Sequence, residues 1–118
     1  KNKNKTVEIW GSGKPKREMM YSADLAEACI YFMNKKTKEF LINIGSGKDY
    51  SVEYYAKLIS KIIIGKNKIK ITYDRSKPNG TLRKVMDISL AKRYGWRPKM
   101  NLKESIINCY NSYLKEKK

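Results

Sequence analysis

Apolar and polar residues alternate from Thr6 to Trp10, and Gly11-Ser12-Gly13 interrupts them. A period of two that ends in glycines predicts a strand running into a turn. A second short extended piece is expected from Arg17 to Tyr21. Beyond it Leu25, Cys29, Phe32 and Met33 recur at helical spacing, which predicts a helix from about Ala23 to Lys36 capped by Ser22. Phe40-Leu41-Ile42-Asn43-Ile44 is nearly all apolar, the pattern of a strand covered on both faces, and Gly45-Ser46-Gly47 closes it.

The second half repeats these signals. Ser51 is placed to cap a helix whose apolar stripe is Val52, Tyr55, Ile59, Ile62 and Ile63, with Gly65 just past its end. Ile69, Ile71 and Tyr73 alternate with Lys68, Lys70 and Thr72, predicting a strand with one wet face. Asp74 to Gly80 is turn chemistry. A short helix is expected from Ser89 to Gly95. Asn101 and Glu104 sit at the cap and third positions ahead of the stripe Leu102, Ile106, Cys109, Tyr110, Tyr113 and Leu114. The expected order is β-β-α-β-α-β-α-α, an α/β fold with no internal repeat.

Composition narrows the chemistry. The 118 residues make one domain at most, and 41% hydrophobic with 11% aromatic content argues for a folded chain. There is no histidine and the cysteines are two, Cys29 and Cys109. A zinc site, a disulfide framework and any histidine-activated nucleophile are thereby excluded within this chain. Both cysteines fall in helical patterns, so buried free thiols in a reducing compartment are expected. The longest apolar run, Ile62 to Ile64, is too short to span a membrane, and no signal peptide is visible. A cytoplasmic chain is the expectation.

Lys and Arg total 27 against 11 Asp and Glu, a formal charge of +16. That is a footprint of polyanion binding, and a basic nucleic-acid-binding module is the alternative reading. Lysine nevertheless occurs 22 times and arginine 5, while isoleucine outnumbers valine 13 to 3. Lys, Ile, Asn and Tyr share AT-rich codons, and the lysines are spread from Lys1 to Lys118 without a basic-aromatic repeat. A solvated lysine surface accounts for most of the charge, and nucleic acid is not the expected partner.

Gly-Ser-Gly-Lys occurs at Gly11 and again at Gly45. Neither copy has the spacing of a phosphate loop, and neither continues to the third glycine of a dinucleotide fingerprint. Both read as glycine turns after strands. Tyr-x-x-x-Lys occurs at Tyr31, Tyr73 and Tyr113, which so many tyrosines and lysines produce by chance. A more pointed conjunction is Trp10 at a strand end, Arg17, and the Arg83-Lys84 pair. An indole can stack on a flat ring while the cations clamp a diphosphate. Equally, Trp10 fits a core or rim aromatic, and the cations a solvated surface.

Several blocks together carry a resemblance. They are Trp10-Gly11-Ser12-Gly13-Lys14-Pro15-Lys16-Arg17-Glu18, Asp24-Leu25-Ala26, Ile42-Asn43-Ile44-Gly45-Ser46-Gly47, Ser76-Lys77-Pro78-Asn79-Gly80-Thr81 with Arg83-Lys84, and Gly95-Trp96-Arg97-Pro98. In order and across the whole chain they resemble the C-terminal part of the GDP-L-fucose synthase family, in the extended short-chain dehydrogenase/reductase superfamily. The resemblance implies that residues 1–118 form a GDP-sugar-binding region lacking the N-terminal Rossmann half. It also implies a full enzyme, expected to be a homodimer, that converts GDP-4-keto-6-deoxymannose to GDP-L-fucose by 3,5-epimerisation and NADPH-dependent 4-keto reduction. Trp10, Arg17 and Lys84 match substrate-binding positions, and Asn79 falls where the family usually has Asp. The family's catalytic residues and NADPH site belong to the earlier part of its chain. The resemblance therefore implies no catalytic residue, no metal and no bound cofactor here, an inactive fragment, and apolar surface left for the missing half.

Overall fold

The computed structural model describes residues 6–65 and 69–117. The lysines of the first five positions and the expected strand residue Lys68 lie outside them. In chain order the elements are β1 (Thr6–Trp10), β2 (Lys16–Glu18), α1 (Ser22–Met33), β3 (Asp49–Ser51), α2 (Val52–Ile64), β4 (Lys70–Asp74), β5 (Arg83–Lys84), α3 (Ser89–Arg93) and α4 (Leu102–Glu116). β1 and β4 pair in parallel, with Val7 opposite Ile71 and Ile9 opposite Tyr73. In a second sheet β2 is central, antiparallel to β3 and parallel to β5.

Two helices start where their side chains dictate. Ser51 Oγ accepts from the Tyr54 N–H at 3.1 Å, and Asn101 Oδ1 accepts from the Glu104 N–H at 3.0 Å. Each fills one donor that the first turn cannot satisfy itself. α1 differs from expectation. Its cap residue is Tyr21, with no side-chain cap bond, because Ser22 is already inside the helix. It ends at Met33 rather than Lys36, where Asn34 Nδ2 folds back onto the Ile30 carbonyl at 2.9 Å.

The centre of packing is Ala28, Ala91 and Trp96, with Met20, Tyr31, Phe32, Ile42 and Ile44 around it. Alanines at 28 and 91 let α1 and α3 share that cluster. Buried Asp24 ties α1 to the approach of α4, its Oδ2 accepting from the Lys99 and Met100 N–H groups at 3.1 and 3.0 Å.

Three expectations are corrected. Phe40–Ile44 is not a strand: Phe40 and Leu41 are exposed, and only Ile42 and Ile44 reach the cluster. An apolar run becomes a strand only where another strand offers it a hydrogen-bonding edge, and here β2 pairs instead with polar Asp49–Ser51 and with β5, which the pattern missed. Of the stripe read on α1, Leu25, Cys29 and Met33 are exposed and only Phe32 packs against the cluster, while the helix's buried residues are Asp24 and Ala28. Cys29 and Cys109 are exposed thiols rather than buried ones. Cys29 is displaced by one helical step from buried Ala28, and Cys109 lines an open apolar groove with Ile59 and Ile63 of α2.

The molecule measures 58 × 36 × 20 Å with a radius of gyration of 17.3 Å. A compact domain of this length has about 13–14 Å.

Candidate functional site

β1 delivers Trp10 to its end, and the pairing with β4 continues one residue further as Gly11 N–H donates to the Asp74 carbonyl at 2.8 Å. Trp10 is 68% exposed, with Lys77 Nζ 5.5 Å from the centre of its ring. Gly11 adopts φ 76°, and Asn79 Oδ1 lies 2.5 Å from where a Cβ would stand, so glycine is required there on two counts. That same oxygen accepts from Ser12 N–H at 2.7 Å and from Ser12 Oγ at 2.9 Å. Asn79 thus clamps the glycine turn beside Trp10. Its amide nitrogen is left as a donor.

The second sheet carries the two other cations. Arg17 on β2 stands directly opposite Lys84 on β5, with Tyr50 of β3 across from it on the other side. Successive strand residues point to opposite faces, so Tyr50, Arg17 and Lys84 form one row. The opposite face carries two rows, Glu18 beside Asp49 and Lys16 beside Arg83. Asp49 takes Arg83 in a two-pronged ion pair, Nε to Oδ2 at 2.5 Å and Nη2 to Oδ1 at 3.1 Å. The Arg83 hydrogen bond holds the Asp49 carboxyl below its ordinary range, and Asp49 raises Arg83 in turn. Of the Arg-Lys pair, Arg83 is therefore spent on structure and Lys84 remains available.

Arg17 is fixed from both ends. Its Nη1 donates to the Lys16 carbonyl at 2.7 Å and the Thr81 carbonyl at 2.6 Å. Its own carbonyl accepts from the hydroxyl of Tyr55, 3% exposed, at 2.8 Å. Burial pushes the Tyr55 hydroxyl above its ordinary value, keeping it a donor. Glu18 braces the same strand: it accepts from Gly47 N–H at 2.5 Å, Ser46 Oγ at 3.2 Å and Met86 N–H at 2.7 Å. Tyr50 and Asp49 carry no signal in the sequence, Glu18 shows only as the motif neighbour of Arg17, and Tyr55 reads only as part of the apolar stripe of α2.

Segment 79–81 joins the two halves of the site. Asn79 bonds Ser12 at one end, and Thr81 receives Arg17 at the other. Trp10, Asn79, Arg17 and Lys84, read separately from the sequence, are thereby carried on a connected set of loops and short strands.

Neither glycine turn fits a dinucleotide. A dinucleotide fingerprint holds its diphosphate on free backbone N–H groups of the glycine turn. Here Ser12 N–H is given to Asn79, Gly47 N–H to Glu18, and Lys14 and Lys48 N–H to the serine hydroxyls of their own turns.

The model of the NAD dependent epimerase/dehydratase family matches residues 1–45. The GDP-L-colitose synthase of Yersinia pseudotuberculosis is 42% identical over 112 residues, spanning 94% of this chain and 36% of that protein. GDP-L-fucose synthase 1 of Arabidopsis thaliana is 36% identical over 109 residues, 92% of this chain and 33% of its own length. Among solved structures, the GDP-mannoheptose C4 reductase from Campylobacter jejuni with NADP bound superposes with a TM-score of 0.77 at 35% identity, covering 92% of this chain and 35% of that one. The chain is thus similar over nearly its whole length to GDP-L-fucose synthases and GDP-sugar reductases, and its α/β fold matches part of theirs. It spans about a third of the length of the relatives it matches. Among the described residues no helix is long and apolar enough to cross a membrane.

Proposed function

We propose that this chain is the C-terminal, nucleotide-sugar-holding portion of an epimerase-reductase of the GDP-L-fucose synthase kind. The whole enzyme would convert GDP-4-keto-6-deoxy-D-mannose to GDP-L-fucose by epimerisation at C3 and C5 and NADPH-dependent reduction at C4. The observation that carries the reading is the register of β2 and β5, which sets Arg17 beside Lys84 while Arg83 is neutralised by Asp49. Two adjacent cations suit a diphosphate, and the exposed Trp10 indole gives a purine or sugar a flat wall. Asn79, with Oδ1 committed to Ser12, contributes its amide N–H groups.

NADPH supplies hydride to the C4 ketone when bound. The residues here do not fit it, since the Ser12, Lys14, Gly47 and Lys48 amides of the two glycine turns are already engaged, so no hydride step is assigned to this chain. The part of the relatives' length not represented in this chain would carry cofactor and acid–base groups, and would cover the outward face of α1. The full enzyme is expected to be a homodimer in the cytoplasm.

Calorimetric titration of the chain with GDP tests this reading. One-to-one binding that outcompetes duplex DNA at 150 mM salt supports it. No GDP binding, together with DNA binding that falls steeply with salt, would favour the nucleic-acid alternative. Separately, the chain alone is expected to give no turnover of GDP-4-keto-6-deoxymannose with NADPH.

A further inference from the structure

Beside the glycine turn is a cavity of about 250 Å³ lined by Gly11, Ser12, Lys14, Arg75, Lys77 and Asn79. We infer that Lys14, Arg75 and Lys77 form a second phosphate-binding site in this cavity, distinct from the Arg17–Lys84 pair.

Three formal positive charges converge there, and among the described residues none of the three is in an ion pair; the ion pairs found are Lys57–Glu53, Arg83–Asp49 and Lys99–Glu27. The nearest carboxylate along the chain, Asp74, has Oδ1 engaged by Ser76 N–H and Ser76 Oγ at 3.0 and 2.6 Å. The cations are also held on braced loops. Asn79 fastens the Lys14 turn to the Pro78–Gly80 segment through Ser12, the Lys77 N–H closes the second turn onto the Asp74 carbonyl at 3.3 Å, and Lys77 Nζ rests on the Trp10 ring. Like charges gathered this way repel, and an anion with two or more negative charges relieves that repulsion while using the three cations as donors. Neither Arg17 nor Lys84 lines the cavity.

A second pocket with lysines makes the contrast. Lys61 and Lys103 line one between α2 and α4, but their companions Leu58, Ile62 and Ile107 are all apolar. It serves as the control.

The ligand chemistry is a phosphate or diphosphate group. Its source is either a separate phosphorylated molecule or the diphosphate of a nucleotide-sugar, the latter resting on the function proposed above. The test titrates the 118-residue chain with pyrophosphate and with GDP, following indole fluorescence, for the wild type and three variants checked by circular dichroism. In Lys14→Ala/Arg75→Gln/Lys77→Ala, pyrophosphate affinity is expected to fall at least tenfold. In Arg17→Ala/Lys84→Ala, which removes the diphosphate clamp of the proposed function, one pyrophosphate per chain is expected to remain bound and to keep the indole response. In Lys61→Ala/Lys92→Ala/Lys103→Ala, which removes the same formal charge elsewhere, the affinity is expected to hold. An unchanged affinity in the first variant, or an equal fall in the third, overturns the site. Pyrophosphate binding that persists under saturating GDP assigns a separate phosphorylated ligand, while competition between the two assigns the nucleotide diphosphate. A loss of GDP binding confined to Arg17→Ala/Lys84→Ala bears on the proposed function and leaves this site standing.

Discussion

At the scale of single residues, the decisive groups are those that tie distant segments together by one side chain. Asn79 contributes one oxygen to two donors of Ser12, so Asn79→Ala is expected to cost about 1 kcal/mol of stability. Asn79→Asp keeps both acceptor contacts and should stay within about 0.5 kcal/mol of wild type. Glu18 does more, since its carboxylate accepts from three donors on two other segments. A glutamine offers one oxygen and turns an N–H toward a donor. Urea denaturation of Glu18→Gln should therefore show a loss of about 1.5–3 kcal/mol, and a loss no larger than that of an exposed Glu104→Gln control would contradict this role. Legibility at this scale follows the same division. Trp10 was readable because a glycine turn follows it immediately. Glu18 was not, because its partners lie 28 to 68 positions away and such contacts leave no spacing in the sequence.

At the scale of elements, α2 and α4 were readable because a cap and a 3.6-residue period are local signals. β3 and β5, three and two residues long, carry no such signal and exist because β2 pairs with them. Phe40–Ile44 failed for the opposite reason: it has the composition of a strand without an edge to join. What holds β3 to β5 across β2 is the Asp49–Arg83 pair, and it has a pH signature. The Asp49 carboxyl lies below its ordinary value of roughly 3.9 because Arg83 donates to it. A depressed carboxyl contributes stability that is fully present above the ordinary value and is lost as pH falls through the depressed one. Melting temperatures from pH 7 to pH 2.5 should thus fall more steeply below about pH 4 for wild type than for Asp49→Asn. Parallel profiles would remove the pair from the account. At the helix ends, Asn101→Ala is expected to cost about 1 kcal/mol through the lost Glu104 N–H contact, read from the same denaturation curves.

At the scale of the whole molecule, the unusual quantity is surface rather than charge. Leu25, Ile30, Met33, Phe40 and Leu41 are all exposed, and the radius of gyration exceeds that of a compact domain of this length. Large exposed apolar area marks a surface that another body covers. The isolated chain is therefore expected to bind a hydrophobic dye and to self-associate, and co-expression with the rest of a relative's length should abolish both. A monodisperse monomer that leaves the dye dark would contradict it. The +16 charge, by contrast, is spread along the whole sequence, and among the described residues the sheet uses little of it: Arg83 is neutralised, while Arg17 and Lys84 stand side by side. Whether those two cations hold a nucleotide diphosphate decides the central claim. The direct measurement is the GDP dissociation constant of wild type, Arg17→Ala and Lys84→Ala by titration calorimetry. Each substitution is expected to cost about 1.5–3 kcal/mol, or roughly a ten- to hundredfold loss of affinity. Unchanged GDP affinity in both variants would contradict the account.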